Sequence, residues 1–181
     1  MSVAIPEQPA PGILNPGAGI QSLRIDWQFA RFDELDAGDA HDMFQLRAAV
    51  FVVEQTCPFQ DLDGADPVCW HLLGRRGLPP RGQDSTRGNL VAYCRLVPPG
   101  VKYPEPSIGR VASARESRRT GVGRALMREA IARAEALWPG QRLRIGAQMY
   151  LKAFYESYGF VQSSEPYDED GILHIEMTRD P

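Results

Sequence analysis

The chain has 181 residues, enough for one sizeable folded unit and short for two. Hydrophobic residues make up 43% and the formal net charge is −3, an ordinary globular composition that argues against a general affinity for nucleic acid. No run approaches the roughly 20 apolar residues of a membrane span, and no charged segment followed by an apolar one opens the chain, so neither a membrane nor a secretory route is expected.

Residues 1–20 hold Pro6, Pro9, Pro11, Pro16 and three glycines, a composition hostile to a helix or a central strand. They read as a tail outside a single domain of residues 21–181. Leu23, Ile25, Trp27 and Phe29 alternate with polar residues as in a half-buried strand. Asp36 or Asp39 is placed to cap a helix carrying Met43, Leu46, Val50 and Val53 on one face, which Pro58 stops near Glu54 and Gln55.

The loop of residues 57–67 holds Asp61, Asp63 and Asp66 close to Glu54. It reads either as an acidic rim that attracts a cationic acceptor or as a solvated turn built on Asp63 and Gly64. The three cysteines, Cys57, Cys69 and Cys94, are odd in number and widely spaced, which fits a reducing cytoplasm rather than a disulfide framework. Cys57, Cys69 and His71 match no common zinc spacing, so no metal is expected.

Two strands follow at residues 68–73 and 90–97, separated by a surface loop of residues 74–88 rich in Gly, Pro and Arg. His71 lies in the first of these strands, either as a base in a site or as a satisfied structural histidine. A strand at residues 108–113 leads into a helix of residues 124–137 whose stripe is Val122, Leu126, Ala130, Ala134 and Leu137. Leu143, Ile145, Ala147 and Met149 mark another strand, and residues 150–158 a short helix closed by Gly159. A strand beginning at Phe160, a hairpin turn at residues 168–171 and a last strand through Leu173, Ile175 and Met177 complete the chain. This order gives a mixed, partly antiparallel sheet with helices on its faces.

Between the strand at 108–113 and its helix stands Arg118-Arg119-Thr120-Gly121-Val122-Gly123. Glycines let the backbone approach a ligand, and the helix start offers unpaired N–H groups and the positive end of its dipole. Arg118, Arg119 and Arg124 add full positive charges. The segment reads as a pyrophosphate cradle or as a strand-to-helix connection with basic residues on its surface. It is neither a dinucleotide fingerprint, because Leu126 stands where a third Gly or Ala belongs, nor a P-loop. If the turn is at the surface, a side chain at Gly121 or Gly123 should obstruct phosphates more than it harms the fold.

Two motifs in this order resemble the GNAT superfamily of acyl-CoA-dependent N-acyltransferases: Val111-Ala112-Ser113 followed by Arg118-x-x-Gly121-x-Gly123, and Ala153-Phe154-Tyr155-Glu156-Ser157-Tyr158-Gly159-Phe160. Leu46-Arg47-x-x-Val50-Phe51-Val52-Val53-Glu54-Gln55, Pro58-x-Gln60-Asp61-x-Asp63-Gly64, Arg95-Leu96-Val97-Pro98-Pro99-Gly100 and Ile108-Gly109-Arg110-Val111 extend the likeness to the ElaA-like branch over roughly residues 23–179. The resemblance implies an α/β (α+β) fold with a mixed, mostly antiparallel sheet flanked by helices. It also implies an N-acetyltransferase that uses acetyl-CoA as cosubstrate and a small-molecule or peptide amine as acceptor.

By the same resemblance, the backbone of Val111 and Ser113 pairs with the pantetheine arm. The amides of Arg119, Thr120, Gly121, Val122, Gly123 and Arg124 hold the pyrophosphate, and Gln148 sits where the pantetheine passes. Tyr155, which reads from its spacing as a core aromatic, becomes the acid that protonates the leaving thiolate. Many relatives carry an acidic base on the strand equivalent to 108–113, where this chain has only Arg110. The base then comes from Glu54 or His71 through water, or the amine arrives neutral. A binding module of the same fold without turnover is the alternative. Nucleic acid and membrane are not expected partners, and a homodimer is left open.

Overall fold

The computed structural model describes residues 24–56, 60–77 and 88–181. The proline-rich tail of residues 1–20, Cys57, Pro58 and most of the loop expected at 74–88 lie outside the described residues. Antiparallel pairing joins β1 (Asp26–Arg31) to β2 (Trp70–Arg76), β2 to β3 (Asn89–Val97) and β3 to β4 (Ser107–Ser113). Strand β4 meets β5 (Leu143–Gln148) in parallel, through the single register pair Ser107 and Arg144. Strand β8 (Ile172–Arg179) is antiparallel to β5 and also carries β6 (Val161–Gln162) and β7 (Tyr167–Glu169). Among the described residues, the expected mixed, mostly antiparallel sheet is therefore an open one of eight strands, in the order β1-β2-β3-β4-β5-β8-β6 with β7 paired to β8.

Helices cover both faces. Helix α2 (Val122–Leu137) buries Val122, Leu126, Met127, Ala130 and Ala134 against Leu72, Cys94, Leu96, Ile145 and Ile175. Helix α1 (Ala37–Arg47), capped by the Asp36 carboxylate accepting from the Asp39 amide at 2.8 Å, sets Met43 and Leu46 against Leu73 and Tyr93 on the other face. Strands β2 and β3 thus alternate between two buried faces and read as continuous apolar runs. The short helix α3 (Lys152–Glu156) closes on Gly159, at φ 84°.

Four sequence expectations change. The helix expected to run to Glu54 ends its α-winding at Arg47 and continues as a π-helix, Ala48–Glu54, with the Gln55 amide donating to Val50 O at 3.1 Å. The wider turn keeps Val50 inside but swings Val53 out to 76% exposure. Strand β2 continues past Leu73 because Gly74 lets the Trp27 ring cross at 2.5 Å from where a Cβ would stand. Three strands rather than two follow α3, since β6 and β7 are too short to show alternation. The β7–β8 hairpin lies where its turn is expected, and Asp170 and Gly171 have φ of 56° and 79°, as a two-residue primed turn requires.

The fourth change is the largest. The acidic loop is neither a rim nor a solvated turn. Arg47, with a fully buried side chain, donates from Nε to Asp61 and from Nη1 to Asp66, both at 2.8 Å. Arg95 holds Asp66 at 2.9 Å and Asp63 at 2.6 Å, and Arg110 holds Asp61 at 2.7 Å. Hydrogen bonding from Arg95, the largest cause, holds the Asp63 carboxyl well below the usual carboxylate range. A group depressed in this way contributes stability above its unfolded pKa of about 3.9 and loses it as the pH falls.

Removing one partner of such a network strands buried charge, which costs about 3–5 kcal/mol. Arg47→Ala is therefore expected to lower the urea unfolding free energy by that amount at neutral pH. The wild type should lose stability progressively below about pH 4, and Asp63→Asn should flatten that acid limb. An Arg47→Ala variant as stable as the wild type would show that the network is incidental.

Candidate active site

Beyond Ser107 and Arg144, strands β4 and β5 diverge. A cavity of about 540 Å³ occupies the gap. Residues 107–113 of β4 form one wall, Gly146 and Gln148 of β5 the other, and Val50, Phe51, Glu54 and Gln55 of the π-helical segment and its end close it from above. The π-winding turns Phe51 and Glu54 toward this space, and Val50, buried in the core, borders it too.

The β4 wall is irregular in a specific way. Tyr93 pairs with Ala112 and Arg95 with Gly109, so two residues, Arg110 and Val111, stand opposite Cys94 alone. This is a β-bulge, which breaks the regular β3–β4 register beside the cavity. Arg110 adopts φ 50°, rare for a residue with a side chain. Its bonds to Asp61 and Asp63 hold it there.

At the end of β4 the chain enters the arginine-rich turn. Arg118 lines the cavity, donates to Ser113 O at 3.2 Å and pairs with Glu54 at 2.7 Å. Arg119 and Gly121 have φ of 63° and 90°. The first helical bond of α2 runs from the Ala125 amide to Gly121 O at 3.0 Å, so the amides of Val122, Gly123 and Arg124 precede the helical ladder. Arg119, Thr120 and Arg124 are exposed, whereas the Val122 side chain is fully buried. Gly121 does not meet the expectation of a position needed only for ligand approach: its left-handed backbone makes it structural as well. Gly123 differs, with no atom within 4 Å of where a Cβ would stand and no left-handed φ.

Tyr155 lines the cavity and is 6% exposed, with its ring edge-on to Phe154 and Phe160. It is at once a core aromatic and a cavity-wall residue, and burial pushes its phenol pKa upward. Across the gap, Gln148 donates to Gln55 at 3.2 Å and accepts from the Tyr150 hydroxyl at 2.6 Å. Cys94 is fully buried, and burial raises its thiol pKa, which disfavours a thiolate nucleophile.

His71 does not join the other candidate residues in the cavity. It is fully buried, donates from Nε2 to Asp66 O at 3.0 Å, and accepts at Nδ1 from the Tyr93 hydroxyl at 2.8 Å. Desolvation lowers its pKa. With both ring nitrogens satisfied, it helps fix the acidic loop.

Sequence reasoning missed the far wall. Tyr103, Glu169, Asp170 and His174 line the cavity, and the hydroxyls of Tyr103 and Tyr167 lie 3.1 and 3.5 Å from where a Cβ on Gly146 would stand. A bare glycine in β5 is what admits these two phenols. The available signal was the polar face of β8, whose opposite face carries Ile175 and Met177 into the core.

Comparison with known proteins agrees with this geometry. Residues 88–181 match the family model for the acetyltransferase (GNAT) domain. The chain is 40% identical to a UPF0039 protein of Synechocystis over 155 residues, covering 86% of this chain and 95% of that one. It is 38% identical to Protein ElaA of Escherichia coli over 158 residues, covering 86% and 97%. The crystal structure of E. coli ElaA superposes with a TM-score of 0.77 at 37% identity, covering 87% of this chain and 100% of that one. An acyl-CoA N-acyltransferase from Pseudomonas aeruginosa gives 0.77 at 39%, covering 86% and 99%. With its splayed strands, its cavity and these relatives along most of its length, the chain belongs to the GNAT acyltransferase family, in the ElaA-like branch.

Proposed function

We propose that the protein transfers the acetyl group of acetyl-CoA directly to an amine of a small molecule or peptide. The observation that carries this reading is the continuity of a bulged strand edge, splayed from β5 beyond Ser107, with an arginine-rich left-handed turn. The edge offers backbone groups to an amide-bearing pantetheine arm, and the turn offers amides and cations to a pyrophosphate. The arm would lie along Val111 and Ser113 and pass Gln148, with its phosphates over residues 119–124 and Arg118 bracing the end of β4. The Val111 amide would polarise the thioester carbonyl. The likeness to the P. aeruginosa acyl-CoA N-acyltransferase supports an acyl-CoA donor. No helix among the described residues is long and apolar enough to cross a membrane. Buried, unpaired Cys69 and Cys94 fit the reducing cytoplasm in which we place the reaction.

The chemistry is attack of the amine nitrogen on the thioester carbon, followed by collapse of the tetrahedral intermediate and breakage of the C–S bond. Holding the amine and thioester together supplies much of the acceleration. The leaving thiolate is a modest base, with a thiol pKa near about 8.5. Tyr155, whose phenol pKa burial pushes upward and which therefore stays protonated at neutral pH, would return its proton.

The phosphate cradle and the acid can be tested separately. Acetyl-CoA should bind about 10–100-fold more tightly than pantetheine, the equivalent of one charge-assisted hydrogen bond to the phosphates. Gly123→Ala should weaken acetyl-CoA binding while leaving the unliganded melting temperature unchanged or slightly raised, because a helical Gly→Ala stabilises by up to about 1 kcal/mol. Gly121→Ala should lower it, since a left-handed alanine costs about 1–2 kcal/mol. Equal calorimetric affinity for acetyl-CoA and pantetheine would remove the phosphate cradle.

Tyr155→Phe deletes only a hydroxyl, so acetyl-CoA affinity should persist while kcat falls at the low end of the roughly 10²–10⁴-fold range of proton donors. Because the phenol pKa is raised, Tyr155 should give the wild-type rate no alkaline limb below about pH 10. A Phe variant with unchanged kcat where chemistry limits the rate would leave Tyr155 a packing residue.

A further inference from the structure

The acyl-transfer reading leaves one proton unassigned. An acceptor amine is an ammonium ion at neutral pH and cannot attack until it loses a proton. Strand β4 carries no carboxylate at the cavity. Glu54 lines the cavity, but its carboxylate is engaged by Arg118 at 2.7 Å. His71 is buried elsewhere with both nitrogens bonded. One other histidine lines the cavity, His174 on β8.

The surroundings of His174 suit a base. Its Nδ1 lies 2.8 Å from Ile172 O. A carbonyl only accepts, so in the neutral ring Nδ1 carries the proton and Nε2 carries the lone pair. The second nitrogen faces a carboxylate, with Nε2 3.8 Å from Glu169 Oε2. The ring stacks on Tyr167 at 6.0 Å and an interplanar angle of 26°, and its side chain is 14% exposed. In register, His174 stands opposite Gln148 on β5 and Tyr167 on β7. Cross-strand partners share a face, so His174 lies on the face that presents Gln148 to the cavity.

Charged and titratable groups from several elements share the cavity or the strand with it. Glu169 and Asp170 belong to the hairpin, Lys102 and Tyr103 to the loop before β4, Tyr150 to the turn after β5, and Glu176 to β8 itself. Arg144 pairs with Glu176, which leaves Glu169 as the carboxylate at Nε2.

We propose that His174 is the general base of the reaction, accepting the acceptor's proton at Nε2. The proposal rests on the acyl-transfer reading above. The ammonium gives one proton to Nε2, which passes it to the Glu169 carboxylate 3.8 Å away, and Glu169, which is half-exposed, hands that proton to solvent. The neutral amine then forms the N–C bond at the thioester carbon. As the C–S bond breaks, the thiolate takes the Tyr155 proton, and the nitrogen's second proton restores the phenol through solvent. The products are the amide, free CoA thiol and one proton released to solvent.

The test follows CoA thiol release by the full chain from acetyl-CoA, across pH, with a panel of spermidine, a lysine-bearing peptide, amino-acid amides and aralkylamines. The variant is His174→Asn, whose side-chain amide can keep a donor toward Ile172 O while removing the base. With any amine the wild type turns over, His174→Asn should lower kcat at neutral pH by about 10²-fold or more. Its KM for acetyl-CoA should be unchanged, and its rate should rise with pH as the amine becomes neutral. A variant that keeps both the wild-type kcat and the wild-type acid limb overturns the assignment and leaves acyl transfer intact. A wild type that binds acetyl-CoA but releases no thiol with any of these amines overturns the transfer reading and the base with it. Long-range nitrogen-correlated NMR on the wild type reads the tautomer independently of any variant. A neutral His174 protonated on Nδ1 supports the proposal, and one protonated on Nε2 overturns it.

Discussion

Three arginines and three aspartates, most of them buried, set the shape of this protein. Arg47 ends α1, Arg95 sits in β3 and Arg110 occupies the bulge of β4, so Asp61, Asp63 and Asp66 tie a helix, two strands and a loop into one unit. Burying such charges is costly, and an apolar replacement of matching shape often serves stability as well or better. The network therefore has a further consequence for the fold. It holds Arg110 at a positive φ, and that residue's backbone forms the cavity wall. It also fixes the start of the π-helical segment, which follows Arg47 directly. Both irregular walls of the site are anchored on the same cluster of charge.

The remainder of the site arises from divergence. Two parallel strands that share one register pair and then separate leave an open gap, and among the described residues neither a helix nor a third strand fills it. The gap has three chemically distinct regions. The β4 edge and the turn after it present backbone groups and cations, suited to an amide-bearing arm ending in phosphates. Tyr155 stands at the buried centre. The hairpin and the loop before β4 bring tyrosines, carboxylates and a histidine, suited to an amine. On the proposed reading, a donor and an acceptor would enter from different sides and meet beside the bulge.

Much of this was legible in the sequence. Apolar periodicity gave α1, α2, the long strands and most of the order of elements, and glycines and arginines between a strand and a helix start marked the turn, while the GNAT motifs pointed to Tyr155. What escaped depends on long-range pairing. The aspartate loop looks like a solvated turn because its arginine partners lie 14 to 49 residues away in sequence. The π-turn has the composition of an α-helix, and only its hydrogen bonding and the exposure of Val53 reveal it. Gly121 and Gly123 look equivalent in Gly-x-Gly, yet one has a left-handed backbone and the other does not. His71 and His174 both sit in alternating strands. The cover on each face, which single-strand patterning does not report, sends one into the core and the other to the cavity.

The central claim is that acyl-CoA binds along the cavity-facing edge of β4 with its phosphates on the turn before α2. Hydrogen exchange with and without acetyl-CoA tests it most directly. The account predicts that saturating ligand slows exchange in two segments together, residues 109–113 and 119–124, with little change in β1 and β2. Bound acetyl-CoA that leaves both segments exchanging at their unliganded rates would contradict it.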